Sequence, residues 1–168
     1  MKKKILIIGS SGNLGNYLFR ELKKKNDLIG IQRQKKKHFF ECNDLADVNM
    51  NLKTFKLIKK KYSSLDAIII CSGKSKKNAI KNIEKKFINS LRSNLLTIVN
   101  SIDSYQKVFN NKPTRIIIIS SIAGLKIMEA PIEYSVSKSA LNHYCQIKAK
   151  QLGKFKIRLN IISPGNII

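Results

Sequence analysis

Short apolar runs alternate along this chain with longer segments in which apolar residues recur every three or four positions. The apolar runs, each typical of a strand, cover residues 5–8, 28–31, 39–41, 67–71, 115–119 and 157–162. The longer segments, each typical of a helix, cover residues 14–25, 52–61, 83–109 and 132–152. This alternation of strand and helix predicts an α/β fold with a parallel, doubly wound sheet.

The size and composition of the chain suit one domain with a substantial core. The chain has 168 residues, of which 43% are apolar, so we predict a single domain over residues 1–168. No run of 18 or more apolar residues occurs, and the first apolar run is too short for the core of a signal peptide. We therefore expect a cytoplasmic protein with no membrane partner.

The chain is strongly basic, with a formal net charge of +23 from 33 Lys and Arg against 10 Asp and Glu. Such a charge favours anionic ligands and raises the alternative of a nucleic-acid binder. The lysines, however, form short runs at predicted helix ends and loops, without interleaved aromatic residues or a recognisable nucleic-acid module. We therefore expect no specific nucleic-acid partner.

Cysteine and histidine are too few and too dispersed for a disulfide framework or a metal site. Cys42, Cys71 and Cys145 are odd in number, lie far apart and form no C-x-x-C pair. His38 follows a lysine run and His143 lies on the helix predicted to carry Tyr134, and no group of His, Asp and Glu suggests a metal site. The sequence therefore predicts no bound metal.

The first predicted strand runs directly into the segment G-S-S-G-N-L-G, which opens a predicted helix. Its three glycines allow a tight turn and a close backbone approach to a pyrophosphate, which the N-terminus of the helix attracts. An ordinary turn is the alternative, but the strand–turn–helix context favours a dinucleotide site. The residues that we expect to contact the cofactor here are Gly9, Ser11, Gly12, Asn13, Leu14 and Gly15.

The end of the second predicted strand bears on the choice between the two nicotinamide cofactors. A carboxylate there would bind the ribose 2′-hydroxyl of NAD, whereas an arginine accommodates the 2′-phosphate of NADP. This chain has no carboxylate at that point; it has Arg33, followed by lysines at 35–37. The alternative is a solvated basic loop, but Arg33 suits a bidentate phosphate contact, so we predict NADP, with NAD less favoured.

The segment over residues 121–138 carries the candidate catalytic residues. Tyr134 and Lys138 are four positions apart, so they share one face of a helix. A lysine ammonium beside a phenol favours the phenolate, and such a pair can act as a general acid/base near neutral pH. Ser121 follows the fifth predicted strand, so its hydroxyl and Tyr134 can converge on one substrate oxygen at the edge of the sheet.

Three further motifs occur in order along the chain: I-I-S-S-I-A-G, Y-S-V-S-K-S-A-L and N-I-I-S-P-G-N-I. With the glycine loop and the spacing of Ser121, Tyr134 and Lys138, the chain resembles the short-chain dehydrogenase/reductase family over its whole length. The resemblance implies a Rossmann-type sheet with strand order 3-2-1-4-5-6. It also implies hydride transfer between NADP(H) and a carbonyl or alcohol substrate, which could be a sugar, a 3-oxoacyl chain or a small ketone.

The resemblance also implies roles for individual residues. Tyr134 would exchange a proton with the substrate oxygen, Lys138 would assist it and bind the nicotinamide ribose, and Ser121 would hold the substrate oxygen. Asn94 would kink the long helix and hold a water of a proton relay. Around the cofactor, the resemblance places Asp44 and Leu45 near the adenine, Cys71, Ser72 and Gly73 in the segment after the fourth strand, and Pro164 and Gly165 beside the nicotinamide.

A homodimer or tetramer that pairs through the two long helices is a further implication of the resemblance. Leu91, Leu95, Ile98 and Ile102 would give the first of these helices an apolar face for a partner subunit. The alternative is that this face packs on the sheet.

Two features depart from the family pattern. The spacing G-x-x-G-x-x-G is more similar to the extended branch of the family, which keeps a sugar-nucleotide-modifying enzyme as an alternative. The sequence also stops soon after the sixth predicted strand, where relatives add a substrate loop and a last strand. We expect this chain to lack both, which keeps a truncated, non-catalytic dinucleotide-binding protein as a second alternative.

Overall fold

A parallel six-stranded sheet forms the centre of the computed structural model, which describes residues 2–33, 39–74 and 82–165. The strands are β1 (Lys4–Ile8), β2 (Asp27–Gln32), β3 (Phe39–Glu41), β4 (Ala67–Ile70), β5 (Arg115–Ile119) and β6 (Arg158–Ile162). Their order across the sheet is β3-β2-β1-β4-β5-β6, and each neighbouring pair is parallel. The predicted doubly wound sheet with strand order 3-2-1-4-5-6 is confirmed.

Helices connect the strands and cover both faces of the sheet. They are α1 (Asn13–Lys23), α2 (Val48–Lys61), α3 (Ile83–Leu91), α4 (Thr97–Phe109) and α5 (Ile132–Gly153). A π-helical turn (Arg92–Leu96) joins α3 to α4, and a short 3-10 turn (Ile122–Gly124) follows β5. The one long helix predicted over residues 83–109 is therefore two α-helices with a wider turn between them.

Polar capping residues set two of the helix ends. α2 begins at Val48 rather than at residue 52, because the Asp47 carboxylate caps it by accepting a hydrogen bond of 2.8 Å from the Met50 N–H. α4 ends at Phe109, as predicted, because Asn110 adopts a left-handed conformation with φ of 50°. Periodicity of apolar residues misses the first end because a cap lies outside the apolar pattern.

Alternation of side chains along the strands divides the core into two layers. Leu6 and Ile8 of β1 face the larger layer, where Phe55 of α2 and Tyr105 of α4 are fully buried. Ile7 faces the opposite layer, which the apolar side of α1 covers. Both faces of the inner strands are therefore buried, which explains why these strands are almost wholly apolar.

The carboxyl ends of the parallel strands lie along one edge of the sheet. The segments that leave this edge include the glycine turn after β1, the segment after β4 that begins at Cys71, and the turn after β5 that begins at Ser121. β1 lies between β2 and β4, so the chain connections change direction there. Ligands of doubly wound sheets bind at such a switch point, and the fold brings the predicted site residues to it.

The apolar positions of the long helical region are divided between the core and the surface. Ile98 and Ile102 are 0% and 1% exposed and belong to the larger core layer, and Leu95 packs against it. Of the two alternatives for this face, packing on the sheet therefore holds for Ile98 and Ile102, which are not available to a partner subunit.

Several lysines follow the ends of the helices. The last turn of α2 contains three of them, at 59–61, and Lys23 and Lys150 lie in the last turns of α1 and α5. A cation at this end offsets the partial negative charge of the helix C-terminus. The lysines at 35–37 and 76–77, and His38, lie outside the described residues.

Among the helices of the described ranges, none combines the length and the apolar character that a membrane span needs. Within the same part of the chain, no three His, Cys, Asp or Glu side chains form a group that could hold a metal ion.

The three cysteines are unpaired thiols: Cys42 and Cys145 are buried, and Cys71 is half-buried.

Candidate active site

Two adjoining cavities open at the carboxyl edge of the sheet. The larger, of about 710 Å³, has a volume typical of ligand sites and is lined in part by the glycine turn. The smaller, of about 180 Å³, is lined by Ser121, Tyr134 and Lys138 among others. The residues that line both are Cys71, Ser72, Gly73, Lys74 and Tyr134. Tyr134 therefore stands where the two cavities meet.

Most of the predicted cofactor residues line these cavities. Those in the larger cavity are Gly9, Ser11, Gly12, Arg33, Asp44, Leu45, Cys71, Ser72, Gly73 and Tyr134. Those in the smaller cavity include Lys138, Pro164 and Gly165. Asn13, Leu14 and Gly15 belong to the first turns of α1 and line neither cavity, so a cofactor contact by these three stays a prediction.

The glycine turn depends on the absence of side chains at two of its positions. Gly9 has φ of 83°, and a Cβ on it would lie 2.9 Å from the backbone nitrogen of Ser72. A Cβ on Gly15 would lie 2.2 Å from the carbonyl oxygen of Gly9. The N–H of Gly12 donates to that same oxygen at 3.1 Å. The glycines thus let α1 begin directly against the turn.

Residues that follow β2 and β3 form another part of the larger cavity. Arg33 lines it with an exposed side chain, and the Asn43 amide, in the orientation that satisfies both of its ends, donates to the Arg33 carbonyl oxygen at 2.7 Å. Gln32 is 7% exposed, and its Nε2 has no hydrogen-bond partner within the described residues. Gln32 therefore offers a buried donor to a ligand, beside the positive charge of Arg33.

Asp44, which lines the larger cavity, is held in an ion pair. Its Oδ2 accepts a hydrogen bond from Arg92 Nη2 at 2.6 Å, and its Oδ1 accepts one from the Ala46 N–H at 2.8 Å. Partial burial opposes ionisation, but these hydrogen bonds and the charge of Arg92 outweigh it and hold the pKa of Asp44 below its usual value. Asp44 therefore anchors Arg92 at the cavity, and its contact with an adenine stays a prediction.

The segment after β4 forms the wall that the two cavities share. Burial raises the pKa of the Cys71 thiol to about 11, so this thiol is neutral near neutral pH. The Ser72 Oγ is buried and has no hydrogen-bond partner within the described residues. A Cβ on Gly73 would lie 2.9 Å from Asn94 Oδ1 and 3.2 Å from Lys138 Nζ. The glycine at 73 thus leaves room for two of the predicted site residues.

Ser121, Tyr134 and Lys138 reach the smaller cavity from two neighbouring elements. Ser121 precedes the 3-10 turn, and its Oγ accepts a hydrogen bond of 3.2 Å from the Ala123 N–H. Tyr134 lies in the first turn of α5, one turn before Lys138, whose Nζ is 5.8 Å from the centre of the Tyr134 ring. The structure therefore brings together the three side chains that the sequence singled out.

Two hydrogen bonds of Asn142 hold the turn that contains Ser121 against α5. Ser120 Oγ donates to Asn142 Oδ1 at 2.7 Å, and Asn142 Nδ2 donates to the Gly124 carbonyl oxygen at 3.1 Å. A Cβ on Gly124 would lie 2.6 Å from the carbonyl carbon of Lys138. The hydroxyl of Ser120 is therefore committed to α5, and the turn lies in close contact with that helix.

Lys138 is a buried cation. Its side chain is 3% exposed, and its Nζ donates a hydrogen bond of 3.2 Å to the carbonyl oxygen of Ile119. Burial lowers the pKa of Lys138 to about 8, an effect that neighbouring Cys145 opposes. Lys138 is therefore mostly protonated at neutral pH and loses its proton under moderately alkaline conditions.

We expect Lys138→Met to raise the free energy of unfolding at about pH 6.5 and to lose this advantage as the pH rises. Below about pH 8, Lys138 is charged in both states, so the folded protein bears the full cost of burying the charge. Between about pH 8 and 10.5, folded wild type releases this proton first and its deficit shrinks. The gain at low pH is about 1–1.5 kcal/mol, the difference between about 3 kcal/mol for the pKa shift and about 1.5–2 kcal/mol for the lost hydrogen bond of a charged donor.

Urea unfolding of both proteins between about pH 6.5 and pH 10 measures this difference. Lys150→Met replaces an exposed lysine of the same helix and serves as the control for the loss of one lysine from α5. A stability difference between Lys138→Met and wild type that stays constant across this range would contradict the burial of a charged Lys138.

Asn94 lies in the middle of the π-helical turn and is fully buried. Its Oδ1 accepts a hydrogen bond of 2.8 Å from the Lys74 N–H, and its Nδ2 donates to the Lys74 carbonyl at 3.2 Å and to Ser90 Oγ at 3.1 Å. Such turns often occur at functional sites. The helix departs from α geometry at Asn94, while the relay water stays a prediction.

Some residues that line the larger cavity were not predicted from the sequence. They include Gln32, Asn43, Lys74, Ser90, Arg92 and Glu133. Two of them carried a usable signal: Gln32 ends a strand at the carboxyl edge, and Glu133 precedes Tyr134. Ser90 lies on α3 and Arg92 in the π-helical turn, and only packing decides how these two segments are rotated against the sheet.

Comparison with known proteins places the chain in a family. The profile of the short chain dehydrogenase family matches residues 3–168. The chain is 28% identical over 180 aligned residues to the 3-oxoacyl-(acyl-carrier-protein) reductase FabG of Buchnera aphidicola subsp. Schizaphis graminum, across 99% of this chain and 74% of that protein. It is 25% identical to the 3-oxoacyl-(acyl-carrier-protein) reductase of Bos taurus, across 74% of this chain and 53% of that protein. The alignments thus span about half to three quarters of these relatives' length.

Solved structures share the fold at lower sequence identity. ElxO with NADP bound gives a TM-score of 0.89 at 22% identity and covers 100% of this chain and 75% of its own. A short chain dehydrogenase from Leptospira borgpetersenii with bound NAD+ gives a TM-score of 0.84 at 22% identity and covers 100% and 72%. The structures establish the fold, and the profile match over residues 3–168 establishes membership: the chain belongs to the short-chain dehydrogenase family of oxidoreductases.

Proposed function

We propose that this chain is an NADP(H)-dependent oxidoreductase that interconverts a carbonyl compound and an alcohol, with Tyr134 as the general acid/base. The observation that carries the proposal is that Ser121, Tyr134 and Lys138 line one small cavity that adjoins the cavity of about 710 Å³. A carbonyl group in the small cavity and a nucleotide in the larger one would meet beside Tyr134.

The residues of the larger cavity fit a nicotinamide dinucleotide. The glycine turn and the N-terminus of α1 suit the pyrophosphate, because no side chain at Gly9 blocks its approach and the helix end attracts negative charge. Ser72 Oγ and Gln32 Nε2 are buried polar atoms without protein partners within the described residues, so they can bond the ligand. Arg33 supplies a positive charge for a 2′-phosphate.

The side chains of the small cavity can manage the proton of a carbonyl reduction. When bound, the nicotinamide supplies or accepts the hydride. In the reductive direction, Tyr134 donates its phenolic proton to the substrate oxygen as negative charge develops there. Ser121 donates a hydrogen bond to the same oxygen. Lys138 holds a positive charge on the same wall, fixed by its hydrogen bond to Ile119.

A 3-oxoacyl group is the substrate class that the curated relatives favour. The relatives from Buchnera aphidicola and Bos taurus are both 3-oxoacyl-(acyl-carrier-protein) reductases. We therefore extend the proposal to reduction of the 3-oxo group of an acyl chain. A sugar-nucleotide substrate has no support beyond the spacing of the glycines.

The cofactor is tested by titrating the purified chain with NADPH and with NADH and following nicotinamide fluorescence. The reaction is tested by measuring consumption of NADPH with a 3-oxoacyl ester. Binding of NADPH together with turnover supports the proposal. Binding without turnover favours the alternative of a non-catalytic dinucleotide-binding protein. If neither nucleotide binds, both readings of the cavity fail.

Arg33→Ala should weaken NADPH binding by about 10- to 100-fold and change NADH binding little, because charge-assisted hydrogen bonds to the 2′-phosphate contribute about 1.5–3 kcal/mol. The same fluorescence titration measures both dissociation constants. Arg20→Ala is the control, since Arg20 is an exposed arginine of α1 that lines neither cavity. Equal losses for the two nucleotides would argue against a 2′-phosphate contact by Arg33.

We also infer that the chain assembles as a homodimer or tetramer. Apolar side chains remain on the surface of the neighbouring helices: Ile88 of α3 is 48% exposed, Leu96 is 39% exposed, and Val136 and Ile147 of α5 are 44% and 49% exposed. A partner subunit would bury them. Light scattering in solution gives the mass, and a monomer at all concentrations would refute the inference.

A further inference from the structure

A chain of buried side-chain hydrogen bonds runs from the π-helical turn to the first turn of α5. Asn94 Nδ2 donates to Ser90 Oγ at 3.1 Å, Ser90 Oγ lies 3.1 Å from Ser137 Oγ, and Ser137 Oγ donates to the Tyr134 carbonyl oxygen at 2.7 Å. Asn94 and Ser137 are 0% exposed, and Ser90 is 8% exposed. Three side chains thus connect two helices within the protein interior.

The directions of the hydrogen bonds made by Asn94 and by Ser137 are determined by their backbone partners. Asn94 Oδ1 accepts from the Lys74 N–H, which can only donate, so the Asn94 amide nitrogen must face Ser90. The Ser137 proton goes to the Tyr134 carbonyl, which can only accept. Ser90 must therefore accept from Asn94, which leaves its own proton for an acceptor on α5. Hydrogen bonds aligned in one direction polarise one another and strengthen the whole chain.

Ser90 has a second acceptor in the same place. Its Oγ also lies 3.0 Å from the Glu133 carbonyl oxygen, so its one proton is shared between Glu133 and Ser137. Both of these acceptors belong to the first turns of α5, beside Tyr134. Whichever acceptor it uses, Ser90 ties α3 to the segment of α5 that carries the tyrosine.

The other end of this hydrogen-bond chain is fixed to the wall between the two cavities. Asn94 bonds both the N–H and the carbonyl of Lys74, at 2.8 and 3.2 Å, and Lys74 lines both cavities. The hydrogen-bond chain therefore joins the shared cavity wall to the backbone of Tyr134.

We propose that Ser90 is a positioning residue that, through Ser137, holds Tyr134 at the place required for proton transfer. The catalytic part of this inference rests on the proposed function. Ser90 itself acts on the Tyr134 backbone and not on the substrate. Within the described ranges, the Ser90 hydroxyl links the Asn94 amide to Ser137, so removing this one oxygen breaks the series of hydrogen bonds.

Ser90→Ala should lower kcat by about 3- to 30-fold and leave KM for the carbonyl substrate within about twofold of wild type, in line with the loss of one or two hydrogen bonds. The loss falls on kcat because Tyr134 acts mainly in the chemical step. Steady-state kinetics of wild type and variant give this split directly.

Ser101→Ala is a matched control. Ser101 is 2% exposed, accepts from Asn51 Nδ2 at 3.2 Å and donates to the Thr97 carbonyl at 2.7 Å, so like Ser90 it is a buried serine that accepts from an asparagine amide and donates to an oxygen. It lines neither cavity. We expect a comparable loss of stability on urea unfolding with an unchanged kcat. Equal kcat values for Ser90→Ala and Ser101→Ala would overturn the proposal.

A second readout separates this inference from the proposed function. In protein labelled with ¹³C at the tyrosine ring, the Tyr134 signal is assigned by its absence in Tyr134→Phe. Ser90→Ala should shift that signal in the NADPH complex, whereas Ser101→Ala should not. If wild type binds NADPH without turnover, the proposed function fails and the ring signal alone decides the matter. An unshifted Tyr134 signal in Ser90→Ala overturns the positioning role.

Discussion

Replacing Tyr134 with phenylalanine should lower turnover by about 10²–10⁴-fold, the usual contribution of a general acid/base, while NADPH binding stays within about threefold of wild type. The substitution removes only the phenolic oxygen, and the ring remains to line the junction of the two cavities. The substrate oxygen then keeps its hydrogen bond from Ser121 but lacks a proton donor. Steady-state kinetics and a fluorescence titration of the same preparation measure the two quantities.

Tyr144→Phe provides the matched control for this prediction. Tyr144 lies on the same helix, is packed against the larger core layer and lines neither cavity. Its substitution should leave kcat unchanged, although burial raises the pKa of its phenol and removing that oxygen can alter stability. Turnover by Tyr134→Phe above about a tenth of the wild-type rate would remove the tyrosine from the proposed acid/base role.

Gly15→Ala should have the largest effect on the nucleotide cavity. The added Cβ would lie 2.2 Å from the Gly9 carbonyl oxygen and 2.9 Å from the Gly9 carbonyl carbon, so α1 or the turn must move. We expect a loss of about 1–3 kcal/mol in the free energy of unfolding, as for other overpacked sites. NADPH affinity should fall by more than about tenfold, because the turn and the helix N-terminus no longer converge on the pyrophosphate.

Gly153→Ala tests whether the effect is specific to the turn. A Cβ on Gly153, the last residue of α5, would meet no atom within 4 Å. Its stability should stay within about 0.5 kcal/mol of wild type or rise, because alanine suits a helix better than glycine. Urea unfolding and NADPH titration compare the two variants. If Gly15→Ala matches wild type in both, the close contact between α1 and Gly9 does not constrain the site.

Ser121, Tyr134 and Lys138 could be found from the sequence because each carries a local signal. Tyr134 and Lys138 share a helix face through their spacing alone, and Ser121 follows a strand whose carboxyl end must lie at the ligand-binding edge. Their common cavity follows once the sheet is parallel. Local spacing and topology are enough in this case because neighbouring elements supply all three residues.

The contacts of Asp44 and Ser90 could not be predicted from local sequence patterns. The partner of Asp44 is Arg92, which lies 48 positions away, and Ser90 bonds residues of α5 that lie 43 and 47 positions away. Each contact depends on how α3 and the π-helical turn are rotated against the rest of the protein. An exposed serine and a buried one look alike in a sequence, so nothing marked Ser90 in advance.

The sequence by itself determined the order of strands and helices, the parallel sheet and the edge that holds the site. It did so because apolar periodicity is a local property, and because strand–helix alternation permits few topologies. Strands β3 and β5 even have the predicted bounds. Only the tertiary structure decided the buried contacts, such as the π-helical turn at Asn94, the hydrogen-bond chain through Ser90 and the burial that lowers the pKa of Lys138. These depend on distances between segments remote in sequence, which packing alone sets.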